Sequence, residues 1–589
     1  MIPFRGSVTR GGARPAGVAT HRLSRFVFDE ICHGSVSRAG IDVLRGGQYS
    51  IRKLRLRTFV DAAAEMADRL GPLFDVERAW DLLAEAESVS PAAVEDVLMY
   101  PTVGVWLSRA LRQVLGMALD DTPFWSEVGG FQLVAAAAAV RSGVLFEIAV
   151  PVVHGAVTLP SVGVLRPATR VPVGHAVLCN TPAGLSLTVQ GMSERSALEP
   201  VKRHRGVARG QTVELVLDDL DPYREFTAPL PACPLSDHEI AEWRKLVDEA
   251  WDLLTACHPK SVEELSSCIT SVVPLSADQQ VFAASSTAAF GSIAMSPKRT
   301  AVEFAEALLH EIQHSKVNAL LDLVMLCEDD DECRFYAPWL DYPRPLTGLL
   351  HGIYAFTTVV EFWYVQRELV PTHLVRSAHF NFAYRHRQVG EVVRTLRRTP
   401  QLTELGRRFV AAVSLRLAAC PPAGVPADVV DSVETITSEH RVLWRLRHVR
   451  PDPDVVEALA EAWLDRRAPT SDFGADVVFM SPGTGRSPLG TFLKASMADH
   501  GVTGRRFVDE AEDAFLNGDA PLAAQGFAAR LTTSPEDVTA WSGLAVTSGS
   551  ATLARRPEVV RAVHRAVAGR TGTAPDPGAL AVWLDQTAS

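Results

Sequence analysis

Two histidines four residues apart with a glutamate between them carry the strongest chemical signal in the chain, His310-Glu311-Ile312-Gln313-His314. On a helix, residues i and i+4 share one face with their Cβ atoms about 6 Å apart, so both imidazoles can reach one ion. The flanking residues predict that helix over 300–326. Thr300 and Glu303 have the spacing of a capping box, Pro297 lies just upstream, and neither Gly nor Pro interrupts the run. Glu303, Ala307, His310, His314, Val317, Leu321 and Val324 fall along one stripe. In a zinc peptidase the two histidines bind metal and Glu311 is the base that activates water.

Two histidines leave such a centre one protein ligand short. The residues after the motif, Ser315-Lys316-Val317-Asn318-Ala319-Leu320, lack the Gly and His that a metzincin places there. His351 is the first candidate for the third ligand, beside a small Gly352 and near the start of the apolar helical stretch GLLHGIYAFTTVVEFW. Glu361, on the same stretch, and Asp341 are the alternatives. Two His with a carboxylate, or three His, suit either zinc or iron, so ligand types leave hydrolysis and oxidation both open.

The elements that must position these side chains read as α+β and predominantly helical. Strands lead directly into the metal helix in a zincin-like core with an antiparallel sheet, and helical parts stand at both ends. Residues 1–20 are rich in Gly and Arg and read as disordered, and 21–143 as a helical domain closed by Gly143. Residues 144–235 carry short β-branched runs broken by Pro, Gly and Asn, the pattern of antiparallel strands. The metal-site domain follows over 236–467, opened by a capping box at Ser236 and Glu239. Within it TSVVPLS, QVFAAS and FGSIAMS read as strands that pack the helix or offer an edge to an extended peptide. The acidic run Glu328 to Glu332 reads as a solvated loop. Residues 468–505 read as a linker, and 506–589 as a helical, tetratricopeptide-like tail.

Bulk properties narrow the class. The 589 residues are 47% hydrophobic with a formal net charge of −11, which argues against a nucleic-acid partner. Eight scattered cysteines without a C-x-x-C argue for reduced thiols, and no apolar run approaches a membrane span. Together with an N-terminus lacking a long apolar stretch, these features lead to an expectation of a cytoplasmic protein with no membrane contact.

Four blocks carry a resemblance: SSTAAFGSIAMS, ALLHEIQHSKVNALLDLVML, RFYAPWLDYPRPLTGLLHGIYAFTTVVEFW and EHRVLWRLRHVRPD. With YPTVGVWLSRAL and the repeat-like tail, they make the chain similar to the HEXXH motif-containing peptide-modification proteins. That family is associated with 2-oxoglutarate-dependent peptide β-hydroxylation in ribosomal peptide natural-product maturation. The resemblance implies Fe(II) held by His310, His314 and a third side chain, with 2-oxoglutarate and O2 at the open positions and a precursor peptide as substrate. The far carboxylate of 2-oxoglutarate then needs a cation, for which the fork of an arginine is well shaped. Arg344, between Pro343 and Pro345, is the first candidate and Lys316 the second. On this reading Glu311 orients a ligand or touches substrate. The competing expectations are a zincin-type Zn2+ metallopeptidase and a non-catalytic peptide-binding scaffold.

Overall fold

The computed structural model describes residues 21–586 apart from 67–68, 74, 118–122, 169–170, 277–281, 329–333, 471, 482–487 and 498–508. The expected disordered N-terminus and most of the acidic run lie outside the described residues. The chain is mainly helical with small sheets, as its patterning predicts.

The N-terminal helices include α1 (Arg38–Ala64), α2 (Pro101–Val114) and α3 (Gly130–Ser142). Helix α3 stops at Gly143, whose φ of 75° is the left-handed conformation that glycine adopts without strain. These helices share one apolar core with an antiparallel sheet in the order β1 (Phe146–Val153), β2 (Val173–Thr181), β3 (Gly184–Val189), β4 (Met192–Glu194). The alternation expected of a half-buried sheet places Ile148, Val150, Leu178 and Leu187 in that core.

The sheet that precedes the metal helix departs from expectation. Its strands are β5 (Lys202–Ala208), β6 (Gln211–Leu217), β7 (Ser271–Pro274) and β8 (Ser292–Met295), ordered β8-β7-β6-β5. Only β5 and β6 run antiparallel; β6 with β7 and β7 with β8 are parallel. The helical hairpin α4 (Asp237–Cys257) and α5 (Pro259–Cys268) makes the crossover between β6 and β7, which forces the parallel pairing. This sheet also crosses the boundary placed at 235/236, so the strand-rich region and the metal-site region are joined by main-chain hydrogen bonds. At Ala294 the edge of β8 is already paired with Ala284, so an added peptide strand would have to displace it.

From β8 the chain enters α6 (Ala301–Leu321), the metal helix. Thr300 accepts from the Glu303 N–H, but the Glu303 carboxylate turns to Arg299 N, so only half of the expected capping box forms. The box at Ser236 and Glu239 is complete. Helix α6 packs against α4, α5 and α7 (Leu346–Gln366); α7 packs against α8 (Val375–Leu396) and α9 (Glu404–Ala418); α8 packs against α10 (Ala427–His448). The stretch read as a linker contains a helix, α11 (Pro488–Met497), seated on α10. The tail folds as helices around Phe527, Trp541 and Leu553, and this core is continuous with Val442 and Leu446 of α10. It caps the helical body. No helix among the described residues is long and apolar enough to cross a membrane, and Cys32, Cys179, Cys233, Cys257, Cys268 and Cys420 are free thiols.

Candidate metal centre

Helix α6 delivers His310 and His314 from adjacent turns, with their Nε2 atoms 3.2 Å apart and their rings nearly perpendicular. Two metal–nitrogen bonds of about 2.0–2.1 Å at a tetrahedral angle hold their nitrogens about 3.3 Å apart, and a right angle about 2.9 Å. The pair therefore fits one ion in either geometry. His310, Glu311 and His314 offer ligand atoms that all lie within 4.8 Å of one another. Burial pushes the His310 imidazole well below its ordinary pKa, aided by His314 and Arg385. Burial and then Arg344 push His314 down to about 4. Both rings are thus neutral, the form that binds metal. His310 Nδ1 is buried without a hydrogen-bond partner, so the outer support usual for a ligating imidazole is missing from it.

Helix α7 brings His351 to the same place. Its ring centroid is 5.9 Å from that of His314, and burial, His314 and Arg344 push it down to about 3. It stands beside the compact group rather than inside it. Gly352, next to it, makes room for the Trp339 ring against α7, because a Cβ there would overlap that ring.

The alternatives for the third ligand are committed elsewhere. Glu361 is held in a two-toothed pair by Arg416 at 2.9 and 2.7 Å. Asp341 lies 3.4 Å from His440 Nε2. Lys316 is also removed from the expected cosubstrate site. It is fully buried, its Nζ is 2.7 Å from Glu264 and 2.9 Å from Gln313, and it serves to tie α6 to α5. About 200° of helix separates it from His314, which aims the ammonium away from the histidines.

Arg344 stands near two of the histidines. Backbone bonds with Phe335 at 2.7 and 2.9 Å clamp its main chain, and its charge acts on both His314 and His351. Its Nε is buried without a partner, and Gly348 leaves room for the guanidinium, since a Cβ there would stand 2.9 Å from Nε.

Glu311 is nearly buried, and that desolvation pushes its carboxyl up to about 7. Ser285 donates to it at 2.6 Å and Lys298 adds a favourable charge, both acting in the opposite direction. Phe356 covers His310 at 4.6 Å between centroids, and the Arg385 guanidinium lies over the Phe356 ring, 4.6 Å from its centre. Ser285, Phe356 and Arg385 are neighbours of the group that the sequence does not single out. Each comes from a different element, and no local spacing links them to the motif. No protein-family model matches the chain, and no curated protein matches it.

The arrangement can hold a divalent ion on neutral imidazoles, accept an anionic group at Arg344, and place a carboxyl near its half-ionised state beside the ion.

Proposed function

We propose that the chain is a non-haem Fe(II), 2-oxoglutarate-dependent oxygenase that β-hydroxylates residues of a ribosomally made precursor peptide. The observation that carries this reading is the unpartnered, buried Nε of Arg344 beside the histidines. A cation there answers the far carboxylate of 2-oxoglutarate. His310 and His314 would hold the iron on a zincin-like helix, with His351 as the third ligand. When bound, the iron and 2-oxoglutarate supply the oxidising chemistry: O2, 2-oxoglutarate and a substrate C–H become succinate, CO2 and C–OH. The chain contributes a dry wall through Phe356 and Trp339, and it fixes the cosubstrate through Arg344. The protein should be loaded with Fe(II) under anaerobic conditions, mixed with 2-oxoglutarate and a precursor peptide, and then exposed to O2. Equal yields of succinate and of peptide heavier by one oxygen are the expected result.

Glu311 favours a second reading, a zinc metallopeptidase. A carboxyl raised to about 7 within the same 4.8 Å group is poised as a general base. Peptide cleavage by the zinc-loaded protein without 2-oxoglutarate would replace the oxygenase by this activity.

A further inference from the structure

Two concavities lie along the same two helices, α8 and α10, the first of them beside the metal centre. The first, about 510 Å³, is bordered by Trp339, Tyr384, Arg385, Trp444 and Lys494. It adjoins the centre directly, because Trp339 and Arg385 both rest on Phe356, the ring that covers His310. Its walls are aromatic at Trp339, Tyr384 and Trp444 and charged at Asp341, Glu439, Arg447 and Lys494. Trp444 is only 4% exposed, yet its indole N–H has no acceptor among the described residues. A buried donor left unmet costs about 1–3 kcal/mol, so a carbonyl entering the cavity is favoured there.

The second concavity, about 850 Å³, lies further along the same helices α8 and α10. Five arginines border it, Arg334, Arg387, Arg394, Arg398 and Arg441, against two carboxylates. Both carboxylates are already engaged. Glu391 pairs with Arg387 and Arg441, and Asp476 pairs with Arg445 and Arg556. Arg394 and Arg398 have no side-chain partner among the described residues. This concentration of positive charge stands in a chain whose net charge is −11. Such a pocket selects anionic groups, and guanidinium forks match carboxylates in particular.

Helix geometry sets the distance between the two. Arg385 and Arg394 are nine residues apart on α8, a rise of about 13 Å. An extended peptide covers about 3.3 Å per residue, so about four residues bridge them, and about six reach Arg398.

Resting on the peptide-substrate reading above, we infer that the two concavities form one groove for an extended, acidic peptide. The aromatic cavity takes a main-chain carbonyl, at Trp444, and an apolar side chain next to the reacting residue. The arginine pocket takes a run of Asp or Glu about four to six positions away. This assigns the substrate class as a peptide with an acidic recognition segment, and it separates recognition from chemistry. The affinity is carried by residues that touch neither metal nor cosubstrate.

The test uses the full chain in EDTA, so that no metal chemistry enters. A fluorescein-labelled peptide with an aromatic residue, a three-residue Gly-Ser-Gly spacer and then three consecutive glutamates is titrated by anisotropy, beside the same peptide with glutamines. The glutamate peptide should bind about tenfold more tightly, and R394Q/R398Q should abolish that difference. Neither arginine supports an ion pair among the described residues, so the double variant should keep the parent's thermal midpoint. W444F should weaken both peptides alike, by a few-fold. Equal binding of the two peptides, or discrimination that survives R394Q/R398Q, overturns the groove. So does full displacement by inorganic phosphate or by single-stranded oligothymidylate at matched charge, which would mark a general anion surface. Succinate formation is measured separately. Acidic-peptide binding without it would leave the groove standing and remove the oxygenase, and the reverse result would do the opposite.

Discussion

At the scale of single residues, the centre is defined by which side chains are uncommitted. His310 and His314 face each other through their Nε2 atoms, whereas Glu361 spends both oxygens on Arg416. His310→Ala should therefore abolish stoichiometric binding of Fe(II) or Zn2+, as measured by elemental analysis of the desalted protein. Glu361→Gln should leave the metal content unchanged and act on the fold instead. It strands Arg416, whose side chain is 5% exposed, at a cost of about 1–3 kcal/mol. A lower unfolding midpoint with full metal loading is the expected outcome. Loss of metal in Glu361→Gln would return that residue to the ligand set. Glu311 is the residue whose meaning turns most on its surroundings. Burial raises it and Ser285 holds it, so one carboxyl can orient a ligand or relay a proton according to which ion arrives.

Elements are where the sequence was read well in some places and poorly in others, and the physical reason is range. The metal helix, the complete cap at Ser236 and the stop at Gly143 are set by residues within one turn of each other, so their spacing is visible in the chain. The parallel pairing of β7, the tie from Lys316 to Glu264 and the cover of His310 by Phe356 depend on residues tens of positions apart. No local pattern encodes them. Lys316 shows the consequence. As an isolated cation near two histidines it suggests an anion site, but folded it is the buried half of an ion pair that holds α6 on α5. Lys316→Met should leave Glu264 charged and 2% exposed, and cost about 3–5 kcal/mol. Adding Glu264→Gln should recover most of that loss, because the uncompensated charge disappears with it. Chemical denaturation of the single and double variants measures both. A single variant as stable as the parent would show that the pair does not anchor the helix.

Across the whole molecule, the N-terminal helices and the metal-site sheet meet at a buried acidic turn, and this contact should make stability depend on pH. Tyr100 donates to Asp218 at 2.7 Å and Thr102 to Asp221 at 2.8 Å, so α2 and its preceding residue are fastened to the turn that follows β6. Both carboxyls are buried, and burial raises both; Asp221, with Asp218 beside it, is pushed up to about 7. In the unfolded chain an aspartate releases its proton near pH 4. Between about pH 4 and 7 the folded protein therefore holds a proton that the unfolded chain has lost, and stability falls as pH rises. The stabilisation is complete below about pH 4 and is lost as pH passes about 7. A shift of this size corresponds to a few kcal/mol. Asp221→Asn keeps an oxygen for Thr102 and removes the titration, so its denaturation midpoint should fall less than that of the parent between pH 5 and pH 8. Parallel curves for the two proteins would show that the turn does not hold this proton. Because α1, next in the same bundle, also contacts α6, loosening at high pH should reach the metal helix. Proteolytic nicking between α2 and β6 should then accompany loss of bound metal in the parent, and both should be reduced in Asp221→Asn.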